Sequence, residues 1–178
     1  SQFYLLMSAI DINDSLYEEK YKLVPRLFDR LYTILNLTDS YKSNTFNNIV
    51  IDIGVAIRGK SPAEITAVFE NKLLETVKKE HNRENINNAF RYEFFAQRGY
   101  NNLGGRFLRY FYARVDKFIA DNSNLNTAKY YEMIKQAQGK NKHHVEHILA
   151  NNPINVNLFP SEDDFNQRPA FTDPEIIR

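Results

Sequence analysis

Cysteine and tryptophan are absent from this 178-residue sequence, and glycine, proline and methionine are scarce, with six, six and two copies. Without cysteine, the protein has neither a disulfide framework nor a thiolate metal site. Any metal ion would therefore be held by His, Asp, Glu or Asn side chains. Because no apolar stretch approaches the roughly 20 residues that cross a bilayer, we expect no membrane association and a cytoplasmic location.

A strong excess of one charge is also lacking, since 23 Lys and Arg residues face 22 Asp and Glu residues, for a formal net charge of +1. Binding to nucleic acid would therefore depend on a local basic patch or on a metal ion at the phosphate. Phe and Tyr are plentiful, and a hydrophobic fraction of 43% is enough for the core of one domain. The sequence opens at Ser1 without Met, which leads us to expect an excised piece of a longer protein.

Apolar residues recur at spacings of three and four, which predicts helices and no sheet of consequence between residues 16 and 120. The first apolar stripe is Tyr17, Tyr21, Val24, Phe28, Leu31 and Leu35. Within it, Pro25 predicts a kink or a break near Val24. The second stripe is Phe46, Ile49, Val50, Ile53 and Ile57. This segment is ambiguous, because its isoleucines and Val55 also alternate as in a strand.

Ser61-Pro62-Ala63-Glu64 is a capping box with proline at the first helical position, and it predicts the start of a third helix. Further helices are expected over residues 86–97 and 105–120, and a short one around Tyr130. The inward residues expected on the helix over 105–120 are Leu108, Phe111, Val115, Phe118 and Ile119. The composition changes at Gln138, so we predict a helical domain over residues 1–138 and a second domain, with a loop-rich, proline-containing tail, over residues 139–178.

The clearest chemistry lies in the run His143-His144-Val145-Glu146-His147-Ile148. A carboxylate can hold a hard divalent cation at a phosphodiester, and an imidazole can accept a proton from water near neutral pH. We predict that His144, Glu146 and His147 lie close together on an accessible extended segment. The alternative is a histidine-rich surface strand without catalytic function.

This run also resembles a known family. His144-Val145-Glu146-His147-Ile148-Leu149 is similar to the signature His-Ile-Glu-His-Ile-Leu-Pro, which opens the HNH-like nuclease domain of GmrSD-type modification-dependent restriction endonucleases. The helical run before the signature resembles the middle region of that family. The resemblance implies a mainly α fold, a multi-helix assembly followed by the start of an HNH-like ββα-metal motif. It also implies DNA as a partner and an N-terminal ParB-like nucleotide-binding domain in the same protein.

The resemblance assigns a role to each matching residue. Glu146 takes the metal-binding acidic position, His147 the general-base position, and His144 a place from which it assists the metal or the phosphate. The implied cofactor is a divalent metal ion, foremost Mg²⁺, with Mn²⁺ as the alternative. The chain departs from the family at Ala150, where the signature has proline. It departs again at Arg168-Pro169-Ala170, where an Arg-Asn-x-(Leu or Ile)-Gly stretch is usual, so the second half of the site is not found.

Basic residues provide two candidate DNA-binding groups. One group, Lys140, Lys142 and His143, adjoins the signature. The other, Arg106 and Arg109, shares a predicted helix with further basic residues and tyrosines, as a phosphate-binding face would. An ordinary amphipathic helix with a solvated basic side explains the second group as well, and we favour that interpretation.

Two further residues, His81 and Asp52, are predicted from their local surroundings. His81 is expected to be exposed near a helix C-terminus, where a cation is favourable, and Asp52 lies among apolar residues and could be buried.

The alternative to an endonuclease is a non-catalytic helical interaction module with a degenerate His/Glu strand. A further Asn and His on a strand-helix unit after Arg178 would favour the enzyme.

Overall fold

The computed structural model describes residues 1–96, 98 and 102–123, which belong to the first of the two units into which the chain divides, Ser1–Ile134. The helices of this part are α1 (Gln2–Ala9), α2 (Tyr17–Leu37), α3 (Ser43–Ala56), α4 (Pro62–His81), α5 (Tyr92–Phe95) and α6 (Gly105–Ser123). No strand occurs among these residues, so the mainly helical prediction is confirmed here. The helix expected around Tyr130, the boundary at 138/139 and the ββα motif lie outside the described residues.

Helices α1 to α4 enclose the hydrophobic core. Close backbone approaches connect α1 with α2, α2 with α4, α4 with α3 and α3 with α1, so each helix has two neighbours in a closed arrangement. Fully buried side chains from all four helices meet at its centre. They include Leu5, Leu31, Leu35, Ile53, Phe69 and Leu73. This four-helix body gives the later elements a rigid support.

Helix α2 is continuous from Tyr17 to Leu37 although Pro25 lies inside it, so the break considered at this residue does not occur. Proline within a helix costs about 3 kcal/mol because a hydrogen bond is lost and the ring crowds the preceding turn. Val24 and Leu31, on either side of Pro25, are buried in the core. Burial of several such side chains, at roughly 1.5–3 kcal/mol each, outweighs that cost.

The first turns of α2 differ from the predicted stripe. Tyr17 and Tyr21 are about half exposed, and their rings stack with centroids 5.8 Å apart. Lys20 is the buried residue of this turn, and its Nζ donates to Asp14 Oδ2 at 2.7 Å. The hydrogen bond from Lys20, followed by one from the Leu16 backbone N–H, lowers the pKa of Asp14. A paired charge therefore replaces aromatic packing at the start of the helix.

Helix α3 resolves the ambiguity of the second stripe in favour of a helix. Phe46, Val50 and Ile53 are buried, whereas Ile51 and Val55 are more than half exposed, so the strand-like alternation was misleading. Spacings of four and three place the buried residues on one helical face. A side chain at Gly54 would collide with the ring of Tyr4, so glycine makes room for the Tyr4 ring of α1 against α3.

Helix α4 begins with the predicted capping box. The Glu64 carboxylate accepts from the Ser61 backbone N–H at 2.9 Å, and Ser61 Oγ accepts from the Glu64 backbone N–H at 3.4 Å. Along the helix, Lys72 Nζ lies 2.7 Å from Asp52 Oδ2 of α3. Asp52 is exposed rather than buried, because it occupies the outer face of α3 and finds its partner there.

The helix expected over residues 86–97 is not formed by the described residues 86–96, of which only Tyr92–Phe95 make one helical turn. Asparagines explain the difference. Asn88 Oδ1 accepts from the Phe90 backbone N–H at 2.9 Å, a local bond that competes with helix formation. Ile86 and Ala89 are nevertheless buried, so their apolar side chains hold the segment against the core without a helix.

His81 lies in the last turn of α4, as expected, but it is half-buried rather than exposed. Its ring stacks on Phe94 with centroids 4.4 Å apart, and Nε2 lies 2.6 Å from the Thr38 carbonyl oxygen. Because a carbonyl can only accept, Nε2 carries the proton and donates it. His81 therefore joins the end of α4 to the end of α2 and to α5.

The capping box gives a pH-dependent prediction. Hydrogen bonds from the Ser61 backbone N–H and hydroxyl, with Lys60 adding to them, lower the pKa of Glu64 from its ordinary 4.5 to about 2. A lowered pKa stabilises the fold above the ordinary value, and this contribution is lost as the pH falls from 4.5 towards 2. We expect Glu64→Gln to lower the melting temperature at pH 7 and to match the wild type near pH 2. Thermal melts followed by circular dichroism test this, and an unchanged difference at both pH values would contradict it.

Candidate functional site

Helix α6 carries the candidate residues that the structure describes. Phe107 and Leu108 are buried near its start, and Tyr32 of α2 makes edge contacts with the rings of Phe107 and Tyr110 at 5.8 and 6.3 Å. These side-chain contacts, rather than close backbone approach, attach α6 to α2. The first half of the helix is thereby fixed to the four-helix body.

The expected inward stripe of α6 is only partly inward. Leu108 is buried, but Val115, Phe118 and Ile119 are 37%, 69% and 51% exposed, so the prediction was wrong for these three residues. The reason is geometric. Phe111, Val115 and Phe118 do turn towards α2, yet they line an open groove instead of a closed core.

Arg106 and Arg109, the predicted DNA-binding residues on α6, occupy its first two turns. Arg106 is exposed and Arg109 is half-buried. Arg106 lines a cavity of about 340 Å³ together with Arg98, Asp39 and Asn36. Arg98 pairs there with Asp39 at 2.9 Å. Because the Asp39 carboxylate offsets the charge of Arg98, the features of the cavity that favour an anion are Arg106 and the N-terminus of α6.

Farther along α6, the basic side chains already have carboxylate partners. Arg114 pairs with Asp29 of α2, donates to Thr33 Oγ1 at 3.2 Å, and lies over the Tyr110 ring. Lys117 pairs with Asp121 one turn later, at 2.8 Å. These carboxylates would repel a phosphate. This half of the basic face is therefore consistent with the interpretation we favoured, an ordinary amphipathic helix with a solvated basic side.

Asp29 is the acidic residue at the junction of α2 and α6 whose burial and pairing matter most. Its Oδ1 is buried and has no hydrogen-bond partner among the described residues, although the other carboxylate oxygen binds Arg114. Burial raises the pKa of Asp29, and the positive charge of Arg114 opposes the rise. An unsatisfied buried acceptor is costly, so Asp29 depends strongly on Arg114.

Between α2 and α6 lies a groove of about 740 Å³, which the sequence patterns did not predict. Its walls are apolar, and Arg26, Arg30 and Arg114 stand along it beside Asp29. Arg26 and Arg30 are four residues apart and therefore share one helical face, and this spacing was the one sign of the groove in the sequence. A single sequence does not show, however, which helix face remains uncovered.

The other predicted site residues, His144, Glu146, His147, Lys140, Lys142 and His143, lie outside the described residues. Within the described part, no group of three or more His, Asp or Glu side chains is placed to hold a metal ion. None of the helices described here is long and apolar enough to cross a membrane.

No protein-family model, no curated protein and no solved structure matches this chain. The chemistry of its own residues is therefore the guide to the function of this protein. The two features that bear on it are the His/Glu signature of the sequence and the surface formed by α2 and α6.

The contact between α6 and α2 generates a stability prediction. Arg114→Met keeps the length of the side chain but leaves Asp29 half-buried and unpaired, which we expect to cost about 1 kcal/mol after allowance for solvent screening. Adding Asp29→Asn should recover most of this loss, since the buried charge disappears. Urea unfolding followed by tyrosine fluorescence measures both effects. Lys117→Met is the control, with a change within about 0.5 kcal/mol, and equal losses in both single variants would contradict the assignment.

Proposed function

We propose that this protein is part of a DNA endonuclease that hydrolyses phosphodiester bonds with a divalent metal ion and a histidine general base. The observation that carries the proposal is the signature run, in which three of the four histidines of the chain fall within residues 143–147, around Glu146. Its similarity to the signature of the GmrSD-type restriction endonucleases supports this interpretation.

The donor set fits a hard divalent cation. Glu146 offers carboxylate oxygens, which Mg²⁺ and Mn²⁺ prefer, and His144 offers one imidazole nitrogen. Two protein donors leave coordination positions for water and for a phosphate oxygen of the substrate. When bound, such an ion polarises the phosphate and stabilises the charge that develops during hydrolysis.

His147 would act on the attacking water. Its neutral imidazole accepts a proton as the water oxygen forms a bond to phosphorus, and the bond from phosphorus to the leaving oxygen breaks. The leaving oxygen takes up a proton from the surrounding water. A histidine suits this task because its ordinary pKa, near about 6.5, keeps much of it unprotonated at neutral pH.

The basic residues would hold the DNA backbone near this site. Lys140, Lys142 and His143 adjoin the signature, and Arg106 and Arg109 lie at the start of α6. The cavity beside Arg106 supports an anion-binding role because the guanidinium group of Arg106 lies there next to the N-terminus of α6, while Arg98 is offset by Asp39. The four-helix body would then position the nuclease relative to an N-terminal ParB-like nucleotide-binding domain.

A second candidate function, a non-catalytic helical interaction module, is favoured by one specific observation. The groove between α2 and α6 is apolar and open, as expected of a surface that binds another protein. The two functions differ in their requirement for His147. A nuclease loses its activity without this residue, whereas an interaction module retains its function.

The catalytic prediction concerns His147 and Glu146 in the full-length protein. His147→Ala should lower the rate of metal-dependent DNA cleavage by on the order of 10² to 10⁴, because a general base is removed. Added imidazole should restore part of the rate. Glu146→Ala should also lose activity and recover partly at high Mg²⁺ or Mn²⁺ concentration, as expected of a metal ligand.

The assay follows cleavage of plasmid and of modified phage DNA by wild type and both variants. Arg58→Ala is the control, because Arg58 is exposed and belongs to no candidate site. Circular dichroism verifies that each variant is folded. Unchanged cleavage by His147→Ala would refute the mechanism, and a wild type inert on every DNA would favour the interaction module.

A further prediction concerns DNA binding through α6. If Arg106 and Arg109 bind phosphates, Arg106→Ala/Arg109→Ala should weaken binding of every DNA sequence alike. The slope of log affinity against log salt should also fall by about 1 for each phosphate that is no longer bound. Fluorescence anisotropy over a range of salt concentrations measures both. Arg58→Ala/Arg83→Ala, which removes the same charge elsewhere, should keep the wild-type slope, and equal slopes in both double variants would contradict the assignment.

A further inference from the structure

The groove between α2 and α6 has apolar walls, and the exposed part of these walls lies on α6. Its apolar walls are formed by Leu23, Leu27, Ile34, Phe111, Val115 and Phe118. Phe118 is 69% exposed, and Val115 beside it is 37% exposed. Exposed apolar side chains that are edged by charged ones are typical of a surface that contacts another protein.

Charge distinguishes the two sides of the groove. Arg30 is neutralised by Glu70, with Nε and Oε1 2.6 Å apart, and Arg114 is neutralised by Asp29. Arg26 is exposed, and no carboxylate pairs with it among the described residues. The α2 side of the groove therefore keeps an uncompensated positive charge next to apolar walls.

We propose that this groove binds an amphipathic helix of a partner protein, with acidic residues bordering the apolar stripe of that helix. Two helices packed side by side leave a channel that a third helix fills, with apolar anchors at spacings of three and four. The anchors would contact Phe111, Val115 and Phe118, and an acidic neighbour would pair with Arg26.

The same observations disfavour nucleic acid as the occupant. The Asp29 carboxylate pairs with Arg114, so this arginine of the groove is not available to bind a phosphate. The apolar walls likewise match leucine-type side chains better than a sugar-phosphate backbone, so the inference does not rest on the proposed nuclease function.

The test uses a display library of random peptides of about 16 residues, or about four helical turns, selected on the whole chain. We expect the enriched peptides to carry apolar residues at spacings of three and four with an excess of Glu and Asp. Anisotropy titrations with the strongest peptide should show about tenfold weaker binding to Phe118→Ala, since a central aromatic anchor is removed. Ile12→Ala is the matched control, because Ile12 is 95% exposed outside the groove.

Charge reversal supplies the second arm. Arg26→Glu should weaken binding of the acidic peptide and strengthen binding of the same peptide with Lys in place of its acidic residues. Arg58→Glu should change neither affinity. Selection of no peptide, of peptides without helical spacing, or of peptides insensitive to Phe118→Ala would overturn the proposal. So would self-association of the wild type that disappears in Phe118→Ala, which would identify a second copy as the occupant, or displacement of the peptide by a short DNA duplex.

Discussion

The packing of α2 on both of its sides is the constraint on which the rest of the structure depends. One face, with Val24, Leu31 and Leu35, is buried among the helices of the core. The opposite face carries Arg26, Asp29 and other residues of the groove towards α6. Because the core face fixes the rotation of α2 about its axis, it also determines which side chains α6 can meet. The groove is thus a consequence of how the core is packed.

The contact between α2 and α6 differs in kind from the core. In the core, large aliphatic side chains exclude water, whereas α6 is attached through Tyr32 and through the pair of Arg114 with Asp29. Ion pairs at a partly exposed junction contribute little net stability, but they specify position because an unpaired buried acid is costly. The junction therefore defines where α6 lies while leaving apolar surface beside it uncovered.

The sequence was informative where local patterns and burial agree. Apolar spacing predicted α2, α3 and α6, and the capping residues predicted the start of α4. Both patterns depend only on residues that are close together in the sequence. The prediction for residues 86–97 failed, since apolar positions there suggested a helix while Asn88 formed a local turn bond instead. The predictions for His81 and Asp52 failed for another reason: their partners, Thr38 and Lys72, are distant in sequence. Contacts of this kind leave no local pattern.

The same distinction applies to the candidate sites. The His/Glu signature is compact in sequence, so its chemistry was accessible from residue types alone. The groove was not, because its two walls come from helices about 80 residues apart, as the contact of Arg114 with Thr33 illustrates.

With a formal net charge of only +1, the protein cannot bind DNA by bulk attraction, so any such binding must be concentrated in a few arginines and lysines. Arg114 and Lys117 are already paired with acids of the same chain, so Arg106 and Arg109 are the arginines of α6 to which the proposed phosphate binding is assigned. The groove side of the helix is thereby left to apolar recognition.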